Sequence, residues 1–437
     1  MNRPGDPSLS ERYRKSEEFL ARAERSIPLG SQTFSKSKTQ YPFGVSPYFI
    51  VRGRGSHVWD VDGNEYVDFV NSLLAITLGH GDPDVRAAVQ AQLEDGTIFS
   101  LAHPLETEVA ERIIDMAPCA EMARFGKNGS DATAGAVRLA RAYTRRDRVA
   151  VCGYHGWQDW YIGSTARWLG VPQAVRDLTH TFVYNDLASL DALFKAHPGE
   201  FAAVILEPMN VAEPAPGFLE GLKELTHRHG ALLIFDETIT GFRFANGGAQ
   251  ELFGVTPDLA TYGKGLANGY PLSAVAGRAE IMRLMEEIFF SFTLGGETLS
   301  LAAAKATLDK LKREPVLATI DAHGRAVLDG AAKIVTENGL SDFVSLAGRP
   351  CWSFLLIKDT PDYSSYEIKT LFLQEMLARG ILTFGTHNMS YAHSEADVEK
   401  LLAAYREVLP ILGEAVRNRA LKQLLKCAPL QPLFKVR

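Results

Sequence analysis

The chain predicts an α/β protein: a large, mostly parallel sheet flanked by helices, with a smaller α+β domain formed by the N- and C-terminal segments. Three observations carry this. Four short apolar runs, Arg148 to Cys152, Ala202 to Leu206, Leu232 to Phe235 and Leu272 to Ala276, alternate with stretches of helical periodicity, the pattern of strand–helix crossover units. Strands covered on both faces read as such runs. The length, 437 residues, is that of two or three domains at roughly 100–200 residues each.

In chain order, Ser8-x-x-Glu11 is a capping box for an amphipathic helix within residues 8–26, with Phe19, Leu20 and Ala23 at helical spacing. From Tyr48 to Phe69, short β-rich runs separated by Gly53, Gly55 and the Asp62-Gly63 turn predict a small antiparallel sheet. The strand–helix alternation begins after Gly81-Asp82-Pro83. Beyond about residue 310 come a helix near 320–336, a strand near 353–357, and helices near 366–379 and 394–412. The expected division is an N-terminal segment 1–82, a large domain 83–310 and a C-terminal domain 311–437.

Composition excludes several function classes. The net charge of −6 and the 46% hydrophobic content are those of an ordinary soluble protein and give no reason to expect nucleic acid. Cys119, Cys152, Cys351 and Cys427 are scattered, without the spacing of a disulfide framework or a zinc cluster. The polar N-terminus and the lack of about 18 consecutive apolar residues lead us to expect a cytoplasmic protein that does not enter membranes. The last 21 residues carry six basic side chains and no acid, and read as a solvated tail. No metal is expected, because His57, His80, His103, His227 and His229 lack a ligand pattern. Gly263-Lys264-Gly265 is not a P-loop: Asp258 occupies the first glycine position and no Ser or Thr follows the lysine.

Three segments carry chemistry. The apolar run Leu232 to Phe235 ends in Asp236-Glu237, which sets Asp236 at the carboxyl end of a buried strand, where open α/β sheets bind ligands. A buried acid there needs a cationic partner. Lys264 lies between two glycines, so a planar ligand can approach, and a desolvated lysine becomes an amine nucleophile. Gly129-Ser130 opens the helical stretch after Asn128, a ready phosphate site, with Asp131 turned away from the anion. Each alone is as readily structural as functional. Together they meet the needs of pyridoxal 5'-phosphate: a phosphate anchor, an amine for a Schiff base, and an acid for the pyridine nitrogen.

These residues, with Trp59 to Tyr66, Leu78-Gly79-His80, Tyr154-His155-Gly156, Glu207-Pro208, Asp236 to Arg243 and Thr261 to Gly265, resemble the class III aminotransferases of the fold type I pyridoxal phosphate enzymes. They are most similar to the glutamate-1-semialdehyde aminomutase branch. The resemblance implies that Lys264 forms the Schiff base and shuttles the proton, that Asp236 pairs with the pyridinium nitrogen, and that Gly129 and Ser130 hold the phosphate. It further implies that Tyr154 covers one ring face, that Glu207 supports the ring surroundings or the local structure, and that Thr293 reaches the phosphate of a neighbouring subunit in a homodimer. Thr238 stands where the family usually has Val or Ile against the other ring face. Asn71-Ser72-Leu73-Leu74 lacks the branch's tryptophan, and Thr386 to Ser390 replaces a longer acidic stretch. The expected activity is therefore ping-pong transfer from an amino acid donor such as glutamate to a keto or aldehyde acceptor, with intramolecular aminomutase chemistry as the alternative. Ser72, Arg243 and His387 are the candidate substrate contacts, although an ion pair inside the fold explains Arg243 equally well.

Overall fold

The structure, a computed structural model, describes residues 9–432. The chain divides into two compact units. One gathers the chain up to Asn71, Leu78–Gly81 and the chain from Ala318 onward; the other gathers Ser72–Thr77 and Asp82–Leu317.

The first unit opens with helices Leu9–Arg12 and Arg14–Ala23, broken at Tyr13. Ser8, the expected cap, lies outside the described residues. The first-turn amides of Lys15 and Ser16 instead donate to the Asp62 carboxylate, at 2.7 and 2.9 Å. Leu20 is buried as expected, whereas Phe19 is 40% exposed. Strands β1 (Ile50–Arg54), β2 (His57–Asp60) and β3 (Glu65–Asp68) form the antiparallel sheet, with Gly63 at φ +94° supplying the left-handed turn.

The second unit is built on seven strands: β4 (Met122–Gly126), β5 (Arg148–Cys152), β6 (Thr179–Thr181), β7 (Phe201–Leu206), β8 (Leu232–Asp236), β9 (Leu259–Tyr262) and β10 (Ser273–Gly277). Their order is β4-β10-β9-β8-β7-β5-β6. The run from β6 to β9 is parallel, and β10 is antiparallel to both β9 and β4. Successive residues of β7 face opposite layers. Ala203 and Ile205 pack with Ala136 and Leu139 of the Gly129–Thr144 helix, and Val204 and Leu206 pack with Leu222 of the Phe218–Arg228 helix. That double burial is why these strands read as unbroken apolar runs. β4, β6 and β9 escaped the sequence reading for physical reasons. β4 carries Arg124 on a half-buried edge strand, and β6 and β9 are three and four residues long.

The chain then returns to the first unit with β11 (Val344–Arg349), β12 (Trp352–Ile357), β13 (Ile381–Leu382) and β14 (Thr386–Asn388), and helices Val316–Glu337, Ser365–Ala378 and Glu395–Arg417. β13 adds to β3 in parallel, while β11, β12 and β14 form a separate antiparallel sheet. The basic C-terminal segment forms the short helix Leu421–Leu424; Lys435 and Arg437 lie outside the described residues. Among the described residues, no helix is long and apolar enough to cross a membrane.

Asp258, at the entrance to β9, ties the sheet to its surroundings. Its buried carboxylate accepts from Leu233 N of β8 and His227 Nε2 (both 2.8 Å) and from Arg278 Nη1 (2.9 Å). Asp258→Ala strands a buried amide and removes an ion-pair partner, so we expect a loss of about 2–4 kcal/mol in urea unfolding. A loss below about 1 kcal/mol would contradict this role.

Candidate active site

The parallel register gathers the site at one end of the seven-stranded sheet. β8 and β9 pair with Asp236 opposite Thr261, so Asp236 and the segment leading to Lys264 leave neighbouring strands at their carboxyl ends. Glu207 follows β7, and Gly153 to His155 follow β5. This is where open α/β sheets bind ligands, because loops fan out beyond the strand ends.

Asp236 is 4% exposed. Its Oδ1 accepts from Thr261 Oγ1 (3.0 Å) and Thr238 N (3.1 Å), and its Oδ2 lies 2.8 Å from His155 Nδ1. Burial alone would raise this carboxyl's pKa, yet the His155 hydrogen bond and charge, with Thr238, hold it below the ordinary value. The side-chain partner of this buried acid is His155, a residue that no local sequence feature marks. Its other nitrogen, Nε2, faces the Cys152 carbonyl at 3.1 Å. Thr133 Oγ1 donates to the His155 carbonyl at 2.8 Å, tying the loop to the Gly129–Thr144 helix.

That helix begins with a reciprocal cap. Asn128 Oδ1 accepts from Asp131 N (3.2 Å), and Asp131 Oδ2 accepts from Lys127 N (2.9 Å) and Asn128 N (3.0 Å). The Asp131 carboxylate turns back onto those amides and leaves the first-turn N–H groups of Gly129 and Ser130 without intrahelical acceptors. Gly156 lies against Ser130: a Cβ there would fall 2.1 Å from Ser130 Oγ. Ser130 Oγ also accepts from Trp157 N at 3.3 Å.

Thr238 packs into the same cradle. A Cβ on Gly129 would meet its Cγ2 at 3.0 Å, and one on Gly263 would meet it at 3.3 Å. Its buried hydroxyl has no hydrogen-bond partner. Lys264, half-buried, follows Gly263 in a left-handed conformation, φ +45°, sparsely populated by residues other than glycine. Tyr154, 44% exposed, stands edge-on to Tyr161 with ring centroids 5.7 Å apart. Its backbone amide donates to Glu207 Oε2 at 2.9 Å, as does Asn210 Nδ2. Glu207 therefore fixes the loop that carries the aromatic ring.

The residues present fit pyridoxal phosphate. A carboxylate offers about four acceptor positions and Asp236 uses three, leaving one for a pyridine N–H. A glycine-lined helix start suits the phosphate, and the orphaned Thr238 hydroxyl lacks only a partner such as a ligand would supply.

Ser72 belongs to a left-handed turn, Asn71 to Leu74, with φ between 45° and 70°. Arg243 is 2% exposed and donates to Thr77 Oγ1 (2.9 Å) and the Ile76 carbonyl (3.5 Å), so its guanidinium serves a neighbouring loop. Thr293 lies in an exposed loop. His387 sits in β14 of the first unit, fully buried, with Nδ1 on Ser353 Oγ (2.9 Å) and Nε2 on Tyr405 OH (2.7 Å), and burial pushes its pKa down to about 3.

The His155–Asp236 pair makes stability depend on pH. With its folded pKa lowered, Asp236 contributes stability that is complete above the unfolded carboxyl value, about 4, and lost as pH falls through the folded value. In His155→Leu the carboxyl loses its partner. We expect about 3 kcal/mol less stability at pH 7, a deficit that narrows toward pH 3 because burial now raises the carboxyl's folded pKa and its protonation relieves the unpaired charge, measured by denaturant unfolding across pH 3–7. A deficit that stays constant across this range would contradict the pairing.

Comparison with known proteins agrees with this chemistry. The family profile of aminotransferase class-III matches residues 40–390. The chain is 37% identical, over 92% of its length and 99% of the relative's, to glutamate-1-semialdehyde 2,1-aminomutase of Roseiflexus castenholzii. It is 34% identical to 3-aminobutyryl-CoA aminotransferase of Cloacimonas acidaminovorans, over 90% and 96% of the two chains. Among solved structures it superposes on the FumI protein of Sphingopyxis sp. MTA144, in its PLP internal aldimine form, with TM-score 0.86 and 30% identity over 95% and 99% of the two chains. The chain belongs to the class III aminotransferases and is a pyridoxal-phosphate-dependent transaminase acting on small-molecule amino donors and acceptors.

Proposed function

We propose that this enzyme moves an amino group from an amino acid such as glutamate to a separate keto or aldehyde acceptor, with Lys264 as the catalytic base. The observation that supports the site assignment most strongly is the buried Asp236 carboxylate, kept ionised by His155 with one acceptor position left open. When bound, pyridoxal phosphate supplies an aldehyde that condenses with amines and a ring that takes up the electron pair released at the substrate carbon. The amides of Gly129 and Ser130, with the Ser130 hydroxyl, bind the phosphate. Asp236 accepts from the pyridine N–H and so holds that proton on the ring nitrogen. Tyr154 covers one ring face and Thr238 the other, each excluding water. Lys264 Nζ takes the proton from the donor's α-carbon and later returns a proton to the acceptor's carbon. Ser72 and Arg243 shape the substrate wall, Arg243 through the loop it holds.

Thr293 reaches the phosphate site of a second copy, which makes the working form a homodimer with shared sites. The exposed Phe289 and Leu294 beside it support this reading, since pairing would cover them. The setting is cytoplasmic, without nucleic acid or membrane partners.

Incubating the holoenzyme with glutamate alone should release 2-oxoglutarate in an amount equal to the sites and shift the cofactor spectrum to its amine form. Release of 5-aminolevulinate from glutamate-1-semialdehyde, with no response to any free donor, would favour the aminomutase alternative. Borohydride treatment and peptide mapping should leave a pyridoxyl group on the Lys264 peptide; a tag elsewhere would remove the assignment.

Gly156→Ala tests the phosphate cradle. The added methyl group collides with Ser130 at a φ of +103°. Equilibrium dialysis should show at least about tenfold weaker cofactor binding, or about 1.4 kcal/mol, with the far-UV spectrum unchanged.

A further inference from the structure

The first unit contains a groove of about 380 Å³ between the Ser365–Ala378 helix and strands β12 and β14, lined by Phe354, Leu356, Tyr366, Lys369, Phe372 and Phe384 among others. It exists because β14 stops short. β14 pairs only with Trp352 to Phe354, and no described strand continues that side of β12 toward Ile357. The size is that of a small-molecule site, and the walls are largely aliphatic and aromatic, with Phe354, Tyr366, Phe372 and Phe384 as the rings.

Lys369 is the one basic residue lining the groove. Its helical neighbours three and four residues away are Ser365, Tyr366, Phe372 and Leu373, so the helix offers it no acid. The acids nearest in sequence are committed elsewhere: Glu367 accepts from Ser364 N (2.9 Å) while lying 3.6 Å from Lys422, Glu375 pairs with Arg379 (2.8 Å), and Asp362 pairs with Arg419 (3.1 Å). Burial lowers the Lys369 pKa with no opposing charge or hydrogen bond. Lys310, 6% exposed, differs in being paired with Asp82 (2.7 Å), Asp84 (3.5 Å) and Glu314 (3.9 Å), and its pKa is raised. A desolvated ammonium without a counter-ion is costly, and an incoming anion relieves it.

We propose that this groove binds a small amphipathic anion, a carboxylate or sulfonate on an aromatic body, with Lys369 as counter-ion and the Phe354, Phe372 and Phe384 rings as its apolar bed. The occupant follows from charge complementarity. An uncharged ligand would leave the ammonium unpaired, and a small inorganic anion would leave the aromatic walls wet. The proposal does not depend on the transaminase chemistry of the other unit.

The test is calorimetric titration of the full-length holoenzyme with 1-naphthalenesulfonate and with the uncharged 1-naphthalenemethanol. Wild type should bind one sulfonate per chain in a process that Lys369→Met weakens at least tenfold and Lys369→Arg leaves within about threefold. The alcohol should bind wild type at least tenfold more weakly than the sulfonate. Sulfonate binding of wild-type strength in Lys369→Met, or equal binding of the alcohol, would overturn the proposal, as would no sulfonate binding to wild type at millimolar concentration. Should Lys369→Met fail to fold, the alcohol comparison and Lys369→Arg decide the matter alone.

Discussion

A carboxylate buried to 4% exposure beside an ionisable histidine is the constraint on which the site depends. The Cys152 carbonyl can only accept, so His155 Nε2 carries a proton. Nδ1 lies 2.8 Å from the Asp236 carboxylate, and this contact opposes the effect of burial and holds the carboxyl's pKa below its ordinary value. Desolvation alone would raise the Asp236 pKa, and a neutral carboxyl could not favour a protonated pyridine nitrogen. His155 therefore keeps Asp236 in the state the chemistry uses, without touching the reacting atoms itself.

The fold supplies the precision that this pair needs. Asp236, Thr261 and the run to Lys264 come from adjacent parallel strands, so their relative placement is set by ladder hydrogen bonds rather than by loop packing. The phosphate end is fixed separately. Asp131 and Asn128 close the cap of the Gly129–Thr144 helix, and Thr133 fastens that helix to the His155 loop. Groups tied to rigid elements need little reorganisation when charge develops.

Much of this was legible in the sequence because burial leaves a linear trace. The runs that became β5, β7 and β8 announce themselves by unbroken apolarity, and Asp236 stands out because it ends one of them. Lys264 and Gly129 were marked by flanking glycines or by a helix start. His155 was not, since a histidine after a tyrosine carries no local sign that its ring will meet an acid 81 residues away. The short strands β6 and β9 lacked the length for a periodic signal. The surroundings of His387 are equally hidden, since its two ring partners, Ser353 and Tyr405, come from distant positions.

Arg243 shows how a departure from the expected role still bears on specificity. Its guanidinium is committed to Thr77 Oγ1 and the Ile76 carbonyl, and Thr77 N donates in turn to Asn268 Oδ1 at 2.9 Å, just beyond the Lys264 turn. A Cβ on Gly265 would strike Thr77 Oγ1 at 2.4 Å, so the 76–77 segment lies directly against the lysine's own loop. Immediately before it, Asn71 to Leu74 run through four consecutive left-handed residues, none of them glycine, at a cost of about 1–2 kcal/mol each. Such strain persists only where surrounding contacts over-determine the backbone. Arg243 and Asn268 fix the residues that follow, Ile76 and Thr77. On the preceding side, Asp68 Oδ1 accepts from Val70 N and Asn71 N, both at 2.9 Å. Arg243 thus holds the 76–77 segment, which lies against the loop that carries Lys264.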